Sequence, residues 1–301
     1  MKKLFAMMLA AAMMMSLASC GSKEEPAPEQ PAETPSTEQP AETPDAEEPA
    51  SFTVTEGKLT VATSPDFAPY EFYAIAEDGT PSLAGFDIAL AGYIADHMGL
   101  ELEIVPMDFD GVLMELATKK VDLGLAGLSP DPEREDAMDF SDIYYEGGQS
   151  FVTVTANKDK FTSLEDANKA DISVGAQIAS IQMDLAEQYS ADADIVPLVK
   201  VTDIIAELLT GKLDGAYIET AVAESYKVNY PELEIVLEVP YDVAGSAVGV
   251  QEGNTQLMEA VNAAIADAIA DGSMANFVAE AGEQASGTTG ILVDGEIVID
   301  G

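Results

Sequence analysis

The sequence contains few of the residues from which covalent, metal and nucleic-acid sites are commonly built. Among 301 residues there are one cysteine, one histidine and no tryptophan, and 13 lysines and arginines stand against 55 aspartates and glutamates. A single cysteine cannot form an intrachain disulfide and excludes a tetrahedral thiolate metal site. The formal net charge of -42 leaves no basic face for nucleic acid or anionic lipid. We therefore expect no nucleic-acid partner, no metal and no cofactor, and look for a small molecule or a protein.

The N-terminus combines two lysines, an uncharged apolar run and small residues before the lone cysteine. The run from Leu4 to Leu17 is too short to span a bilayer comfortably and is typical of a secretory signal. Leu17-Ala18-Ser19-Cys20 resembles the lipobox of bacterial lipoproteins, in which the cysteine is lipidated and becomes the new N-terminus. The alternative is an ordinary signal with an incidental cysteine. We assign residues 1–20 to a lipoprotein signal peptide and predict a lipid anchor at Cys20.

Residues 21–52 are mostly Glu, Pro, Ala, Thr, Gln and Ser, with near-repeats at 31–35 and 40–44. Such a segment cannot bury an apolar face, and its like charges repel. The composition predicts a disordered acidic tether between the membrane and a folded part.

From Lys58 onward, short apolar runs alternate with longer helical patterns, which favours an α/β fold. The first series predicts strands at 59–62, 102–105 and 121–126 and helices at 86–98 and 112–119. The second series predicts strands at 172–175, 195–199 and 213–218 and helices at 178–189, 201–209 and 220–228. Residues 117–126 and 209–218 also resemble each other, each with a basic turn, an aspartate and a buried strand, which indicates two lobes.

Two apolar, β-branched segments, 150–155 and 244–250, are the only plausible strands outside these series and are interpreted as crossings between the lobes. They place residues 57–150 and 245–301 in lobe 1 and residues 155–243 in lobe 2. Two more helices are expected near the C-terminus, at 256–270 and 274–281. A hairpin or edge strand around an Asp-Gly turn should follow at 291–299.

Arg134 is the only arginine in the chain. Four acidic residues surround it in sequence: Asp131, Glu133, Glu135 and Asp136. Position alone favours a structural ion pair. The alternative is a fork aimed at a ligand carboxylate, whose planar geometry arginine matches with two parallel hydrogen bonds.

Open parallel sheets bind ligands at the carboxyl ends of their strands. Arg134 and the N–H groups near Ser129 and Ser180 suit a carboxylate there, while Glu219 and the Gly127 carbonyl suit an ammonium. Glu219 also has a structural interpretation, because a carboxylate at a helix start is favoured by the helix dipole.

Two aromatic residues, Phe67 and Phe109, follow predicted strands and suit an apolar or planar ligand side chain, although such residues are more often core. Together with the residues above, they complete a set suited to a zwitterion in one crevice between the lobes.

Five segments, in this order, resemble the extracellular solute-binding proteins (family 3) of polar amino-acid ABC transporters. They are 64–72 (SPDFAPYEF), 85–90 (GFDIAL), 108–111 (DFDG), 126–129 (AGLS) followed by Glu133-Arg134, and 140–145 (FSDIYY). The resemblance covers about residues 57–282. It implies a type II periplasmic-binding-protein-like α/β fold, with two lobes joined by two crossing hinge strands, that closes on an amino acid and delivers it to ABC permease subunits.

The resemblance also implies roles for individual residues. Arg134 holds the ligand carboxylate, Ser129 and Gly127 supply hydroxyl and backbone contacts, and Glu219 takes the position, commonly Asp, that holds the α-ammonium. Phe67 and Phe109 form an aromatic sandwich. We expect a monomer held by its lipid on the outer face of the bacterial cytoplasmic membrane.

Two positions depart from the family pattern. The Gly-Thr-Thr carboxylate loop is here Ala179-Ser180-Ile181, which keeps a hydroxyl at Ser180 but lacks the glycine. An acidic residue that meets cationic side chains in relatives that bind basic amino acids is here Ser64, which makes a lysine or arginine ligand less favoured. Either Asp66 or Glu71 is a candidate to replace it. The sequence does not identify the amino acid.

Two other functions compete with transport. A carboxylate-based lyase is one, because a few dehydratases resemble this family. Catalysis by a serine and a histidine is disfavoured, because the only histidine, His97, lies near the end of a helix, where a capping or surface role is favoured. The sequence also has no Gly-x-Ser-x-Gly elbow. A ligand sensor for a membrane receptor is the other, and it would share the whole site. We expect a binding protein and not an enzyme.

Overall fold

The structure is a computed structural model that describes residues 52–243, 245–293 and 296–300. The predicted signal peptide, its lipidation site Cys20 and almost all of the predicted tether lie outside these residues. Phe52, the last residue assigned to the tether, packs against the main apolar core, and its carbonyl accepts a 2.8 Å hydrogen bond from Asn254 Nδ2. The folded part therefore begins no later than Phe52.

Helices and strands alternate along most of the described chain. The elements of the first half are β1 (Lys58–Thr63), β2 (Asp66–Phe67), β3 (Glu71–Ile75), β4 (Pro81–Ala84), α1 (Phe86–Met98), β5 (Glu101–Pro106), α2 (Phe109–Ala117), β6 (Leu123–Gly124) and β7 (Met138–Tyr145). Those of the second half are β8 (Gln149–Val154), a 3-10 turn (Lys158–Lys160), α3 (Leu164–Ala167), β9 (Ser173–Gln177), α4 (Ile181–Tyr189), β10 (Asp194–Leu198), α5 (Val201–Leu209), β11 (Gly215–Glu219), α6 (Thr220–Asn229), β12 (Leu233–Val239), β13 (Ser246–Gln251), α7 (Thr255–Ala270), α8 (Ser273–Ala285), β14 (Thr289–Val293) and β15 (Glu296–Asp300).

Two five-stranded mixed sheets form the two lobes of this α/β fold. Lobe 1 contains the sheet β5-β1-β6-β13-β7, and lobe 2 contains the sheet β10-β9-β11-β8-β12. In each sheet three neighbouring strands at one side are parallel, β5, β1 and β6 in lobe 1 and β10, β9 and β11 in lobe 2. In each sheet the remaining pairs are antiparallel. The sequence predicted these parallel strands and the helices between them.

The chain passes between the sheets twice. It leaves β7 in lobe 1 and enters β8 in lobe 2 through residues 146–148, and it returns between β12 and β13. The segments 150–155 and 244–250, predicted as the crossings, correspond to β8 and β13, each of which lies within a single sheet. The crossings are therefore the short segments that precede these strands.

The expectation that no other strands exist outside the two series is wrong. Strands β7 and β12 each form one edge of a large sheet, opposite the edge strands β5 and β10, and a smaller sheet, β15-β14-β3-β2 with β4 on β3, packs beside lobe 1. Edge strands are only half-buried and carry charged residues, as in β12 with the sequence LEIVLEV. Strands β7 and β12 also lie outside the regular alternation of strands and helices that located the edge strands β5 and β10, so the sequence did not reveal them. The predicted C-terminal hairpin is confirmed by the antiparallel pair β14 and β15, although its Asp-Gly turn lies outside the described residues.

The similarity between residues 117–126 and 209–218 has a structural counterpart. Asp122 accepts a hydrogen bond from the backbone N–H of Thr60 in β1, and Asp214 accepts one from the N–H of Ser173 in β9. Each aspartate thus ties a helix-to-strand turn to the first strand of its own parallel sheet, so the two lobes repeat one local arrangement.

Candidate functional site

Residues that follow the carboxyl ends of strands in the two lobes contact one another directly. Asp66 follows β1, and its Oδ2 accepts a 2.7 Å hydrogen bond from the backbone N–H of Val201 in lobe 2. Arg134, in the loop after β6, donates from Nη2 to the carbonyl oxygen of Ala179, in the loop after β9, at 3.0 Å. The lobes are therefore closed on each other at the crevice that the topology predicts.

Arg134 faces the other lobe and has no acidic partner. Among the residues that the structure describes, no carboxylate lies within ion-pair distance of its guanidinium, so the ion pair with a sequence neighbour is not formed. Its Cζ lies 5.8 Å from the centroid of the Phe109 ring, within the range of a cation–π contact. Burial lowers the pKa of Arg134, and the nearby Asp131 opposes this shift.

The two predicted aromatic residues lie in different parts of the core. Phe109 is the first residue of α2, is 8% exposed and belongs to the cluster with Val112 and Leu116. Phe67 is in β2, is 7% exposed and lies 5.3 Å from Tyr70 between ring centroids. Both rings thus have core neighbours as well as the small exposed fraction that a ligand contact needs.

Gly127 is positioned by its neighbours and cannot be replaced by a larger residue. Its φ is +56°, and a Cβ at this position would come within 2.6 Å of the ring of Phe67. Its N–H donates to Asp87 Oδ2 at 3.0 Å, so this amide is already used inside lobe 1. Ser129, two residues on, is buried, and in the described part of the chain no partner accepts from or donates to its hydroxyl.

Ser180 is the N-cap of α4, the helix of lobe 2 that starts at the crevice. Its hydroxyl donates to Gln177 O at 2.7 Å and accepts from Met183 N at 3.3 Å. This cap explains why α4 begins at Ile181 and not at the predicted residue 178. The hydroxyl predicted to contact a carboxylate is thus engaged in the cap, whereas the first N–H groups of α4 have no partner within the helix.

Ala179 adopts the backbone conformation that the missing glycine would favour. Its φ is +61°, in the left-handed region that an alanine enters at a cost of about 1 kcal/mol. In this conformation its carbonyl receives the Arg134 guanidinium. The loop therefore keeps its left-handed bend despite the Gly-to-Ala departure.

Glu219 is a buried acid at the end of β11 and the N-cap of α6. It is 4% exposed, and its Oε2 accepts a 2.9 Å hydrogen bond from Val222 N. Burial raises its pKa to about 7, although hydrogen bonds from Val222 and Gly148 oppose the shift. The structural interpretation of Glu219 as a carboxylate at a helix start agrees with this geometry. Glu219 also lines a cavity of about 380 Å³ with three other acidic side chains, Glu146, Glu224 and Glu238.

Asp66 is the acidic residue most engaged between the lobes. Besides Val201, its carboxylate accepts from Ser64 Oγ at 2.9 Å and from Gln177 Nε2 at 3.4 Å. Its backbone carbonyl accepts from Tyr226 OH at 3.0 Å. Burial raises the pKa of Asp66 to about 6, and the hydrogen bond from Val201 opposes this shift. These contacts belong to the protein itself, and Glu71, the other candidate for a ligand side chain, is fully buried in β3.

Sequence reasoning missed the ion pair between Lys200 and Asp108, which joins the two lobes beside Asp66. A signal for it was present in the sequence. Lys200 immediately precedes α5, where the helix dipole disfavours a cation, so a partner elsewhere was to be expected.

Features associated with hydrolytic or metal chemistry are remote from this crevice or not found. His97 Nε2 lies 3.1 Å from Asp267 Oδ2 on the outer side of α1 and α7, which agrees with the predicted surface role. The described residues contain no group of three or more His, Cys, Asp or Glu side chains placed to hold a metal ion. None of the helices in the described ranges is both long enough and apolar enough to cross a membrane.

Comparison with known proteins supplies the family context. Residues 59–282 match the model of a family described as bacterial extracellular solute-binding proteins, family 3. The chain is 32% identical over 213 residues to the arginine-binding extracellular protein ArtP of Bacillus subtilis (strain 168), with 69% of this chain and 79% of that protein covered. It is also similar to an enzyme, a cyclohexadienyl dehydratase of Pseudomonas aeruginosa, with 26% identity over 192 residues that cover 64% of this chain and 70% of the enzyme.

The fold is that of solved binding proteins. The amino acid ABC transporter substrate-binding protein AbpA from Streptococcus pneumoniae Canada MDR_19A, crystallised with L-arginine, matches with a TM-score of 0.73 and 33% identity. The match covers 76% of this chain and 96% of that chain.

Proposed function

The chain belongs to the bacterial extracellular solute-binding proteins of family 3, and we propose that it captures one L-α-amino acid between its lobes and delivers it to the permease of an ABC transporter. L-arginine is the first ligand to test, because ArtP is named for arginine and AbpA was crystallised with it, although the Asp66 carboxylate is already engaged within the protein and Glu71 is fully buried. The observation that carries the proposal is the partly buried guanidinium of Arg134, which reaches across the crevice to Ala179 O.

The carboxylate end of the ligand is assigned to Arg134 and the start of α4. A carboxylate placed there receives a charge-assisted, bidentate hydrogen bond from the guanidinium. It also meets the free N–H groups and the positive end of the α4 dipole. Ser129 adds a hydroxyl that no protein group in the described residues engages. Ser180 contributes chiefly by its backbone, since its hydroxyl holds the cap.

The ammonium end is assigned to Glu219 and the carbonyl of Gly127. Glu219 is held rigidly, because its Oε2 is fixed by Val222 N. Its raised pKa reflects a buried charge that lacks a cationic partner. An ammonium group would supply that partner. Phe67 and Phe109 then flank the ligand side chain.

Closure of the lobes traps the ligand, and the closed form is the one that the permease recognises. The contacts that support this role join the two lobes directly. They are the hydrogen bonds of Asp66 to Val201 and Gln177 and the ion pair between Lys200 and Asp108. We place the lobe boundaries at 57–150 with 245–301, and at 155–243.

The protein functions outside the cytoplasm, as its family does. We place it on the outer face of the bacterial cytoplasmic membrane, held by a lipid on Cys20 and by the acidic tether of residues 21–52, as a monomer that meets its permease subunits there. Replacement of Cys20 by serine would release the protein into the medium, which membrane fractionation measures. Equal membrane retention of the variant would contradict the anchor.

We propose no catalytic step, but the similarity to a dehydratase makes a lyase the second candidate. The discriminating measurement is whether the bound ligand survives. A thermal-shift screen against the twenty amino acids identifies the ligand, since a ligand at one hundred times its Kd adds about 2.7 kcal/mol of stability. Chromatography of the amino acid after incubation with the protein then shows it unchanged if the protein only binds it, and altered if the protein is a lyase. A screen in which no amino acid shifts the unfolding midpoint would contradict the proposed function.

A further inference from the structure

Gly147 lies in the first crossing between the lobes, residues 146–148, where its backbone does not require a glycine. Its φ lies outside the left-handed region, in which glycine has an advantage over other residues. The space around Gly147 gives a different reason for the missing side chain.

That space is bordered by two oxygen atoms, one from each lobe. A Cβ on Gly147 would lie 2.7 Å from Glu219 Oε1 in lobe 2 and 3.1 Å from Tyr70 OH in lobe 1. Carbon and oxygen atoms in close contact are usually about 3.3 Å or more apart, so the first distance is a clash. Glu219 thus lies where a residue other than glycine would place its Cβ.

The carboxylate of Glu219 has little room to give way. Glu219 is 4% exposed, and its Oε2 accepts a 2.9 Å hydrogen bond from Val222 N. Its Oε1 accepts a 3.4 Å hydrogen bond from Gly148 N, in the crossing itself. Because N–H groups hold both oxygens, a methyl group at position 147 would displace the carboxylate from this arrangement.

Tyr70 closes the other side of the same space. It is fully buried, its ring lies 4.3 Å from that of Phe86 between centroids, and its OH accepts a 3.4 Å hydrogen bond from Ser246 Oγ. Ser246 is the first residue after the second crossing. Both lobes and both crossings therefore meet around Gly147.

We propose that Gly147 is a positioning residue for the Glu219 carboxylate: because it has no side chain, Oε1 lies against the first crossing while Oε2 caps α6. Gly147 acts through Glu219, to which the ligand ammonium is assigned. The part of this inference that concerns ligand affinity rests on the proposed function; the part that concerns the fit between Gly147 and Glu219 does not.

A double-mutant cycle separates this role from a need for flexibility in the crossing. Gly147→Ala stiffens the crossing and also crowds Glu219. Glu219→Asp keeps a carboxylate that can cap α6, but its side chain is one methylene shorter and leaves room for the added methyl group. A role in flexibility predicts the same loss from Gly147→Ala in both backgrounds, whereas a role in positioning predicts a loss only beside the longer side chain.

The melting temperature of the ligand-free protein is the first readout. In the wild-type background, we expect Gly147→Ala to lower it by about 2 °C or more, as overpacking does. In the Glu219→Asp background this loss should vanish or become a small gain, because alanine also reduces the entropy of the unfolded chain. Gly92→Ala, at a glycine of α1 whose Cβ would have open space, is the control and should have the same effect in both backgrounds.

Amino-acid affinity is the second readout, measured with L-arginine and with any other amino acid that the thermal-shift screen identifies. Gly147→Ala should weaken affinity by about tenfold in the wild-type background and by no more than about threefold in the Glu219→Asp background. Ligand-induced shifts of the melting temperature extend the measurement to weak binding.

Three results would overturn the inference: an unaltered melting temperature in Gly147→Ala, an equal loss of melting temperature in both backgrounds, or equal losses of affinity in both. If the wild type binds no amino acid, the proposed function fails, while the ligand-free cycle still decides whether Gly147 makes room for Glu219.

Discussion

The guanidinium of Arg134 in lobe 1 and the carbonyl of Ala179 in lobe 2 are joined by a 3.0 Å hydrogen bond. The only arginine of a chain with a net charge of -42 thus donates to a neutral backbone oxygen and not to any of the acidic residues near it in sequence. A guanidinium has five N–H donors, so this bond leaves most of them available for a carboxylate. The contact also places that carboxylate next to the start of α4.

Replacement of Arg134 by alanine should weaken amino-acid binding by about 2 to 5 kcal/mol, the loss expected when one partner of a desolvated charge pair is removed. Isothermal titration calorimetry measures this difference directly. Arg134→Lys should recover only part of it, because lysine cannot form the bidentate contact. Lys160→Ala, which removes a surface cation in lobe 2, is the charge-matched control and should bind as the wild type does. Unchanged affinity in Arg134→Ala would remove the carboxylate role.

Glu219→Gln should weaken binding by a comparable amount, because the ligand ammonium loses its anionic partner. In the wild type, affinity should fall as pH drops below about 7, where the ligand-free carboxyl becomes protonated. Calorimetry in buffers of different ionisation enthalpy should detect proton release on binding in that range. Glu224→Gln, an exposed glutamate of the same helix, is the control. A pH-independent affinity between pH 5 and 8 in the wild type would contradict the assignment.

The same shift predicts how the stability of the ligand-free protein depends on pH. The folded pKa of Glu219, about 7, lies above its unfolded value, so its contribution is present below about pH 4.3 and is lost as pH rises towards 7. The loss amounts to about 3 kcal/mol. Glu219→Gln should flatten this slope in denaturant titrations. A wild-type slope that the variant leaves unaltered would show that Glu219 does not titrate in this way.

The sequence predicted the elements that follow a strong apolar period. The parallel strands of both lobes and the longer helices between them were predicted because each buries one continuous apolar face, as β1 and α5 do. The four-residue helix α3 was not predicted. The edge strands β7 and β12 were missed because they mix charged and apolar residues and lie outside the alternating series. The edge strands β5 and β10 are equally mixed, but their place between helices made them predictable. Helix starts were displaced where a side-chain cap decides them, as Ser180 does for α4.

The candidate site was predictable in part for a similar reason. Arg134 and Glu219 were proposed as site residues because each follows a predicted strand end, where open parallel sheets bind ligands. The contacts of Asp66 with Val201 and of Lys200 with Asp108 were not found, because they join residues 135 and 92 positions apart. Such pairs depend on how the lobes meet, which no local pattern describes.

Loss of the Asp66 carboxylate should favour the open form. In Asp66→Ala the Val201 N–H has no partner in the closed form but is hydrated in the open form, so the closed population falls and affinity weakens by about 1 to 3 kcal/mol. Asp66→Asn keeps an acceptor for Val201 and should lose less. Small-angle X-ray scattering of the ligand-free protein measures closure through the radius of gyration. Asp159→Ala, at an exposed aspartate of lobe 2, controls for charge, and an unaltered radius in Asp66→Ala would contradict the role.

The backbone of Ala179 leads to a last prediction, in which the usual effect of glycine is reversed. At φ +61° an alanine carries strain of about 1 kcal/mol that glycine does not. Glycine also adds about 0.4 to 1 kcal/mol of unfolded-chain entropy. Ala179→Gly should therefore be neutral or slightly stabilising in denaturant titrations, whereas Ala263→Gly, at an exposed position within α7, should destabilise by about 1 kcal/mol. If both variants lose the same stability, the left-handed conformation of Ala179 is wrong, and with it the orientation of the carbonyl that receives Arg134.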